Sequence, residues 1–297
     1  MVAGTNLGYL SILPRFEYLA PGTIEQACSL LVQHRGNVKV LAGGTDLLVS
    51  MKNRKVCPRY VVSIKDIPHL DCIEHSPQDS LKIGVRTTLQ AIADNAIVRD
   101  RFGLLATACS KVGSLQVRNM GTIGGNICNG GPSQDTIPSL LVLDARLKLV
   151  SNEGERIVPI NTFFTGPFQT ILGEAELLTE IQIPALPSKT AGCYHWLTKI
   201  TTKGETLVGV AVLVTADPSG ELCQEIRIGL GSVAPTPIRA KEAEGLVRGK
   251  KIDDGLIEQA ARVATGETSP RSRAEYRRRM TSLLVRRAIS EAWGNIK

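Results

Sequence analysis

The segment Asn119-Met120-Gly121-Thr122-Ile123-Gly124-Gly125-Asn126 constrains this chain more than any other stretch. Three glycines within five residues, closed by an asparagine, exclude the interior of a helix or strand. Glycine is used where φ must be positive or where backbone must come very close to something else. Successive N–H groups in such a loop form a concave, positively polarised nest that takes phosphate. Ala42-Gly43-Gly44-Thr45-Asp46 repeats this chemistry. It follows a buried strand read over 38–42 and precedes a short helix read over 46–51, where N–H groups point outward. Two nests suit a pyrophosphate, although either loop alone is also what a tight structural turn looks like. Neither matches G-x-G-x-x-G or G-x-x-x-x-G-K-[ST], which excludes the Rossmann and Walker readings. Asp46 reads as a cap of the following helix, as a residue whose backbone N–H faces a phosphate, or as both.

Composition narrows the function classes. A chain of 297 residues can form two or three domains, and 43% hydrophobic with 21% charged residues allows a sizeable core. Only 4% is aromatic, which argues against a protein that stacks single-stranded bases. No apolar run reaches about 18 residues, so no membrane span is expected. No basic segment leads into an apolar one at the start, so no signal peptide is expected, and the first fifteen residues read as a leader. The seven cysteines are scattered, with no C-x-x-C pair, which argues against a zinc ribbon or an iron–sulfur cluster. Reduced thiols in a cytoplasmic protein are the plain reading.

The four histidines lack metal-ligand spacing, and no Gly-x-Ser-x-Gly occurs, so a hydrolase is a poor reading. His195, beside Trp196, is either packed or a site group. The net charge of +7 is concentrated in Arg271, Arg273, Arg277, Arg278, Arg279, Arg286 and Arg287. A solvated helix face, a docking surface for another subunit and a nucleic-acid interface all remain open for it.

Along the chain, Thr23 and Gln26 form a capping box for a helix with an apolar stripe through Leu31. Strands are expected over 60–64, 81–85, 146–150 and 177–183. Thr87 reads as the N-cap of a helix through Ala93, and a further helix spans 104–112. Arg118, next to the second loop, either contacts an anion or braces the loop. Asp135 stands before a helix that has Pro138 in its first turn. It reads either as that helix's cap or as an acceptor for a ligand hydroxyl. Beyond the linker 184–188, three antiparallel strands are expected over 194–200, 207–215 and 223–230. Helices follow over 238–247, 253–264 and 273–292, the last with Ser272 and Glu275 as a capping box.

The paired loops Ala-Gly-Gly-Thr-Asp and Thr-Ile-Gly-Gly-Asn resemble those of the FAD-binding medium subunit of molybdenum hydroxylases, the xanthine dehydrogenase and aerobic carbon monoxide dehydrogenase family. Gln116-Val117-Arg118-Asn119, Phe163-Phe164-Thr165-Gly166, Glu176 to Pro184, Val208 to Val212 and Tyr276-Arg277-Arg278 also resemble it, in order and spacing. The likeness runs from Phe16 to Ala292. It implies an α+β fold: a two-lobed FAD-binding domain of the PCMH/vanillyl-alcohol-oxidase type, then a C-terminal α+β domain with a three-stranded antiparallel sheet and helices. The segments are taken as 1–57, 58–184 and 185–297.

The resemblance further implies an oxidoreductase subunit that is not active on substrate alone. FAD would be held by Val40, Ala42, Gly43, Gly44, Thr45, Asp46, Leu47, Thr122, Ile123, Gly124, Gly125, Asn126, Asp135, Leu172 and Lys199. Within that set Asp135 serves the nucleotide moiety, and Leu172 packs near the isoalloxazine ring. The molybdenum cofactor would sit in a large partner subunit and the [2Fe-2S] clusters in a small one, in a dimer of heterotrimers. Neither partner's motifs occur in this chain, nor does the cysteine-rich insertion of the branch resembling 4-hydroxybenzoyl-CoA reductase. Lys203-Gly204-Glu205-Thr206 departs from the family pattern, in which many members carry an aspartate and an aromatic or apolar residue near the ring. An FAD-less scaffold of the same fold and a basic nucleic-acid-binding protein are the alternatives.

Overall fold

Thr23 starts the first helix as its side chain predicts. Its Oγ1 accepts the Gln26 N–H at 3.2 Å, and Gln26 Oε1 reaches back to the Gly22 N–H at 2.9 Å. In the computed structural model, which describes residues 12–76, 78, 80–199 and 205–296, this helix joins two parallel strands. The order is β1 (Glu17–Leu19), α1 (Ile24–Gln33), β2 (Val38–Leu41), α2 (Leu47–Lys52) and β3 (Tyr60–Ser63). The sheet is parallel, in the order β1-β3-β2, so each connection needs a crossover and the two helices supply them. Its middle strand, β3, follows Pro58, so the segment boundary expected after residue 57 falls inside this sheet. The leader expected over the first fifteen residues lies mostly outside the described residues.

The second lobe is built on an antiparallel sheet. β4 (Ile73–His75) and β5 (Leu81–Gly84) are followed by six short helices: α3 (Leu89–Asp94), α4 (Ala96–Arg101), α5 (Gly103–Lys111), α6 (Leu115–Met120), α7 (Ile123–Asn129) and α8 (Thr136–Val142). Then come β6 (Arg146–Ser151), β7 (Gly154–Pro159), the hairpin of β8 (Phe164–Gly166) and β9 (Gln169–Thr170), and β10 (Leu177–Ile183). The sheet runs β4-β5-β10-β6-β7. Thr88, not the expected Thr87, caps α3 by accepting the Ala91 N–H at 3.2 Å. Thr87 instead donates to the Cys72 carbonyl.

The C-terminal domain comprises β11 (Thr190–Thr198), β12 (Thr206–Ala216), β13 (Cys223–Gly231), β14 (Ile238–Arg239), α9 (Lys241–Val247), α10 (Asp254–Gly266) and α11 (Ala274–Gly294). Its antiparallel sheet has four strands, not the three expected. Ile238 and Arg239, expected to start a helix, pair instead with Leu230 and Gly229, and the helix begins only at Lys241. The capping box expected at Ser272 and Glu275 does not form. The residue before α11 is Arg273, in the left-handed region with φ 50° and no side-chain cap. The end of the strand expected at Ile200 lies outside the described residues.

β11 serves two neighbours because alternate residues leave opposite faces. Cys193 and His195 reach α11, while Tyr194 and Trp196 reach the N-terminal domain, where Lys111 Nζ stands 4.2 Å from the Trp196 ring centroid. The domains meet at backbone distance. A Cβ on Gly229 would lie 2.4 Å from the Pro138 carbonyl oxygen, and one on Gly192 would lie 2.9 Å from Leu104 Cδ2. Tyr194, Ala211 and Leu213 are buried in the same apolar cluster as the N-terminal helices.

Candidate functional site

The two glycine loops come together. A Cβ on Gly43 would stand 2.0 Å from the Met120 carbonyl oxygen, and Thr45 Oγ1 lies 3.5 Å from the corresponding position on Gly121. The first loop keeps the character read from its sequence. Gly44 has φ +78°, which favours glycine. No acceptor among the described residues takes the backbone N–H of Gly43, Gly44, Thr45, Asp46 or Leu47. Asp46 makes no side-chain cap, so of its two readings the cap is not realised. Val40, Ala42, Thr45 and Leu47 are half-buried around the turn.

The second loop differs from its expectation. Ile123, Gly124, Gly125 and Asn126 are the first turn of α7, with Thr122 as the N-cap. Its donors are engaged: Ile123 N–H with the Thr87 carbonyl (3.0 Å), Gly124 N–H with the Val85 carbonyl (3.0 Å) and Gly125 N–H with Thr122 Oγ1 (3.1 Å). Gly124 is glycine because a Cβ would sit 2.5 Å from Val85 Cβ, so helix–strand packing explains it. Gly125 is the exposed one, and its missing Cβ would meet only Thr122 Oγ1, at 3.0 Å. Buried Asn126 points inward, donating to Gln134 Oε1 and accepting from Thr136 Oγ1 at 2.5 Å. Arg118 braces the loop, donating to Gln90 Oε1 at 2.8 Å and to the Val112 carbonyl at 3.3 Å.

Asp135 does not cap α8. Its Oδ1 accepts from Thr206 Oγ1 at 2.6 Å and from the Tyr194 hydroxyl at 3.0 Å, which ties the two domains together. Beside it, Ser133 donates to Glu205 at 2.6 Å. Asn129, Ser133, Gln134, Phe168, Glu205 and Arg271 line a cavity of about 200 Å³ at this junction. Phe168 is 65% exposed at the β8–β9 turn, with φ 60°. Leu172 is half-buried against the N-terminal core, and Lys199 is exposed just beyond β11. Of the departure at Lys203-Gly204-Glu205-Thr206, the first two residues lie outside the described residues.

Burial raises the Asp135 carboxyl from the usual 3.8 to about 6, against the two hydroxyl donors that lower it. Because the folded-state value lies above the unfolded one, the fold gains stability from protonation. That gain is complete below the usual value and is lost as pH rises through about 6. Stability is therefore expected to fall between about pH 4 and pH 6, by up to about 3 kcal/mol. Asp135→Asn keeps an acceptor oxygen and is expected to flatten that decline in urea midpoints measured across pH. A slope identical to wild type would show that Asp135 does not set it.

The donors left open on the first loop and the space at Gly125 fit a dinucleotide's pyrophosphate, so the residues present are compatible with FAD. Residues 14–186 match the family of the FAD-binding domain in molybdopterin dehydrogenase, and residues 205–292 match the carbon monoxide dehydrogenase flavoprotein C-terminal domain. The chain is 36% identical to the carbon monoxide dehydrogenase medium chain of Hydrogenophaga pseudoflava over 286 residues, covering 95% of this chain and 98% of that one. It is 32% identical to a xanthine dehydrogenase FAD-binding subunit of Escherichia coli, covering 93% and 95% of the two chains. It superimposes with a TM-score of 0.92 on a chain of the Hydrogenophaga carbon monoxide dehydrogenase that lacks the Mo-pyranopterin moiety, covering 96% of this chain and 100% of that one. Among the described residues no helix is long and apolar enough to cross a membrane. With both domains matched in order along nearly its whole length, the chain belongs to the FAD-binding medium subunits of the molybdopterin dehydrogenases and is the FAD-carrying oxidoreductase subunit of a carbon monoxide dehydrogenase/xanthine dehydrogenase-type complex.

Proposed function

We propose that this chain holds FAD with its pyrophosphate on the loop 42–47 and against the exposed edge of 122–126. The observation that carries this reading is the run of backbone donors at Gly43 to Leu47 without acceptors among the described residues, beside a Gly44 in the left-handed region. Thr45, Thr122 and Gly125 border the same space. Val40, Ala42, Asp46 and Leu47 shape the first turn, while Ile123 and Gly124 hold the second loop against Val85 and Thr87. Asn126 sets the 134–136 segment, so its part in binding is one of positioning. Asp135, Leu172 and Lys199 complete the cofactor-binding set, Asp135 on the nucleotide side and Leu172 near the ring. When bound, FAD supplies the capacity to take up and release electrons, and the protein supplies position, electrostatics and exclusion of water.

The complex would be cytoplasmic, with a large molybdopterin-binding subunit and a small iron–sulfur subunit as partners, arranged as a dimer of heterotrimers. Electrons would pass from the small subunit's clusters through FAD to an external acceptor, and the large subunit would choose the substrate. Five arginines of the C-terminal cluster, Arg271, Arg273, Arg278, Arg279 and Arg287, are exposed and suit interfacial carboxylates. The other two are engaged. Arg277 donates to the carbonyls of Leu207 and Ser232, and Arg286 pairs with Glu258.

Gly125→Val tests the site. A side chain here grows from the first turn of α7 toward the proposed ligand, not into the protein core. FAD affinity is expected to fall at least ~10-fold, about 1.4 kcal/mol, while the thermal midpoint of the flavin-free chain stays close to wild type. Full flavin occupancy in this variant would sink the proposed pyrophosphate site. A colourless wild-type chain that cannot be reconstituted with FAD would favour the scaffold alternative. A lone monomer turning over a small substrate would refute the relay role.

A further inference from the structure

Cys193 and His195 are two residues apart on β11, so their side chains leave the same face, the one covered by α11. Glu291 of α11 reaches the same point. Its Oε2 lies 2.9 Å from His195 Nε2, and the Cys193 sulfur, a His195 ring nitrogen and a Glu291 carboxylate oxygen all lie within 4.8 Å of one another. This cluster is on the opposite face of β11 from Tyr194, and so from the Asp135 junction. We propose that Cys193, His195 and Glu291 form a binding site for a thiophilic divalent cation of the zinc class, clamping β11 to α11.

The donor set is what selects the ion. A thiolate, an imidazole and a carboxylate suit zinc, whereas calcium and magnesium take oxygen ligands. Zinc holds sulfur at about 2.3 Å and nitrogen or oxygen at about 2.0–2.2 Å, and tetrahedral angles then put ligand atoms roughly 3.3–3.6 Å apart. Here His195 Nε2 and Glu291 Oε2 are 2.9 Å apart and the Cys193 sulfur is no more than 4.8 Å from its partners' ligand atoms, so the three groups stand close enough to converge on one ion. A surface His–Glu pair alone needs no sulfur beside it. Here the sulfur is present and buried, and its only hydrogen-bond acceptor among the described residues is the Ala288 carbonyl at 3.3 Å.

Entry is open on the outer side. The side chains of His195 and Glu291 are 26% and 48% exposed, so solvent reaches the site and can supply a fourth ligand. Burial, with the Glu291 carboxylate adding to it, pushes the Cys193 thiol up to about 12. Without a cation the thiol keeps its proton. Binding replaces that proton by a sulfur–metal bond and releases one proton to water, and the dication then turns the thiolate–carboxylate repulsion into shared attraction.

The test uses the full chain, freed of metal by chelator dialysis and titrated with Zn²⁺ and with Co²⁺. One equivalent of zinc is expected to bind and to raise the thermal midpoint. The cobalt difference spectrum is expected to carry a thiolate charge-transfer band and tetrahedral d–d bands. Cys193→Ser, His195→Gln and Glu291→Gln are each expected to lower zinc affinity at least ~10-fold, while FAD content is unchanged. Substitution at buried Cys193 also perturbs packing, so Glu291→Gln, at an exposed position, gives an independent reading. Absence of stoichiometric binding, a cobalt spectrum without the thiolate band, or wild-type affinity in Cys193→Ser or Glu291→Gln would each overturn the proposal.

Discussion

Gly43→Val is expected to abolish flavin binding by dismantling the contact between the lobes, and to lower stability by at least about 3 kcal/mol. The three atoms nearest to a Cβ at residue 43 are all backbone: the Met120 carbonyl oxygen at 2.0 Å, its carbon at 2.8 Å and Gly121 Cα at 3.0 Å. That backbone is not free to withdraw. The Gly121 N–H is bonded to the Val117 carbonyl, and the Gly121 carbonyl accepts the Leu89 N–H at 2.9 Å. Inserting methylenes into a packed core costs about 1–3 kcal/mol where side chains can yield, and here none can. Urea unfolding of the flavin-free chain measures the effect. Gly125→Val is the control that separates a packing glycine from one beside the proposed ligand. A Gly43→Val chain with a wild-type midpoint would show that the lobes do not approach as closely as described.

Asp135→Ala is the second large effect. It leaves Thr206 Oγ1 and the Tyr194 hydroxyl without their acceptor, and both residues are only 4% exposed. Each buried polar group left unsatisfied costs about 1–3 kcal/mol, so a loss of about 2–5 kcal/mol is expected. Tyr194→Phe removes one of the stranded hydroxyls together with its need. In the double variant the two changes should therefore cost less than their sum, a coupling that a thermodynamic cycle reads directly. A loss below about 0.5 kcal/mol in Asp135→Ala, or strict additivity, would show that this carboxylate does not anchor the junction.

Much of the architecture could be read from the chain before folding. The strand–turn–helix passage at Gly43-Gly44 is local, and local chemistry decides it. Gly124 shows where such reading ends. Glycine signals close approach, but the partner can be a ligand or another backbone, and the partner here is Val85. Asp135 precedes a helix, as a cap would, yet its partners come from 59 and 71 residues away. The fourth C-terminal strand is two residues long, too short for any periodicity. Cys193, His195 and Glu291 have no motif spacing, because one pair follows strand alternation and the third arrives on a helix nearly a hundred residues on. The full set of residues proposed to hold FAD comes only from family resemblance, since a cradle made largely of backbone leaves no side-chain pattern.

The close seam between the domains bears on what counts as a unit of this protein. Two sequence blocks, 14–186 and 205–292, suggest parts that could be cut and exchanged. Yet Gly229 is bare because the Pro138 carbonyl fills the place of its side chain, and Gly231 is bare because the Pro138 ring does. Each block is the mould of the other. A fragment ending in the 184–189 connection would carry a surface cast for an absent neighbour, with Leu104 and Pro138 uncovered. The blocks are separable as text but not as matter: a foreign C-terminal half would have to bring glycines at the same heights on its strands before it could seat at all.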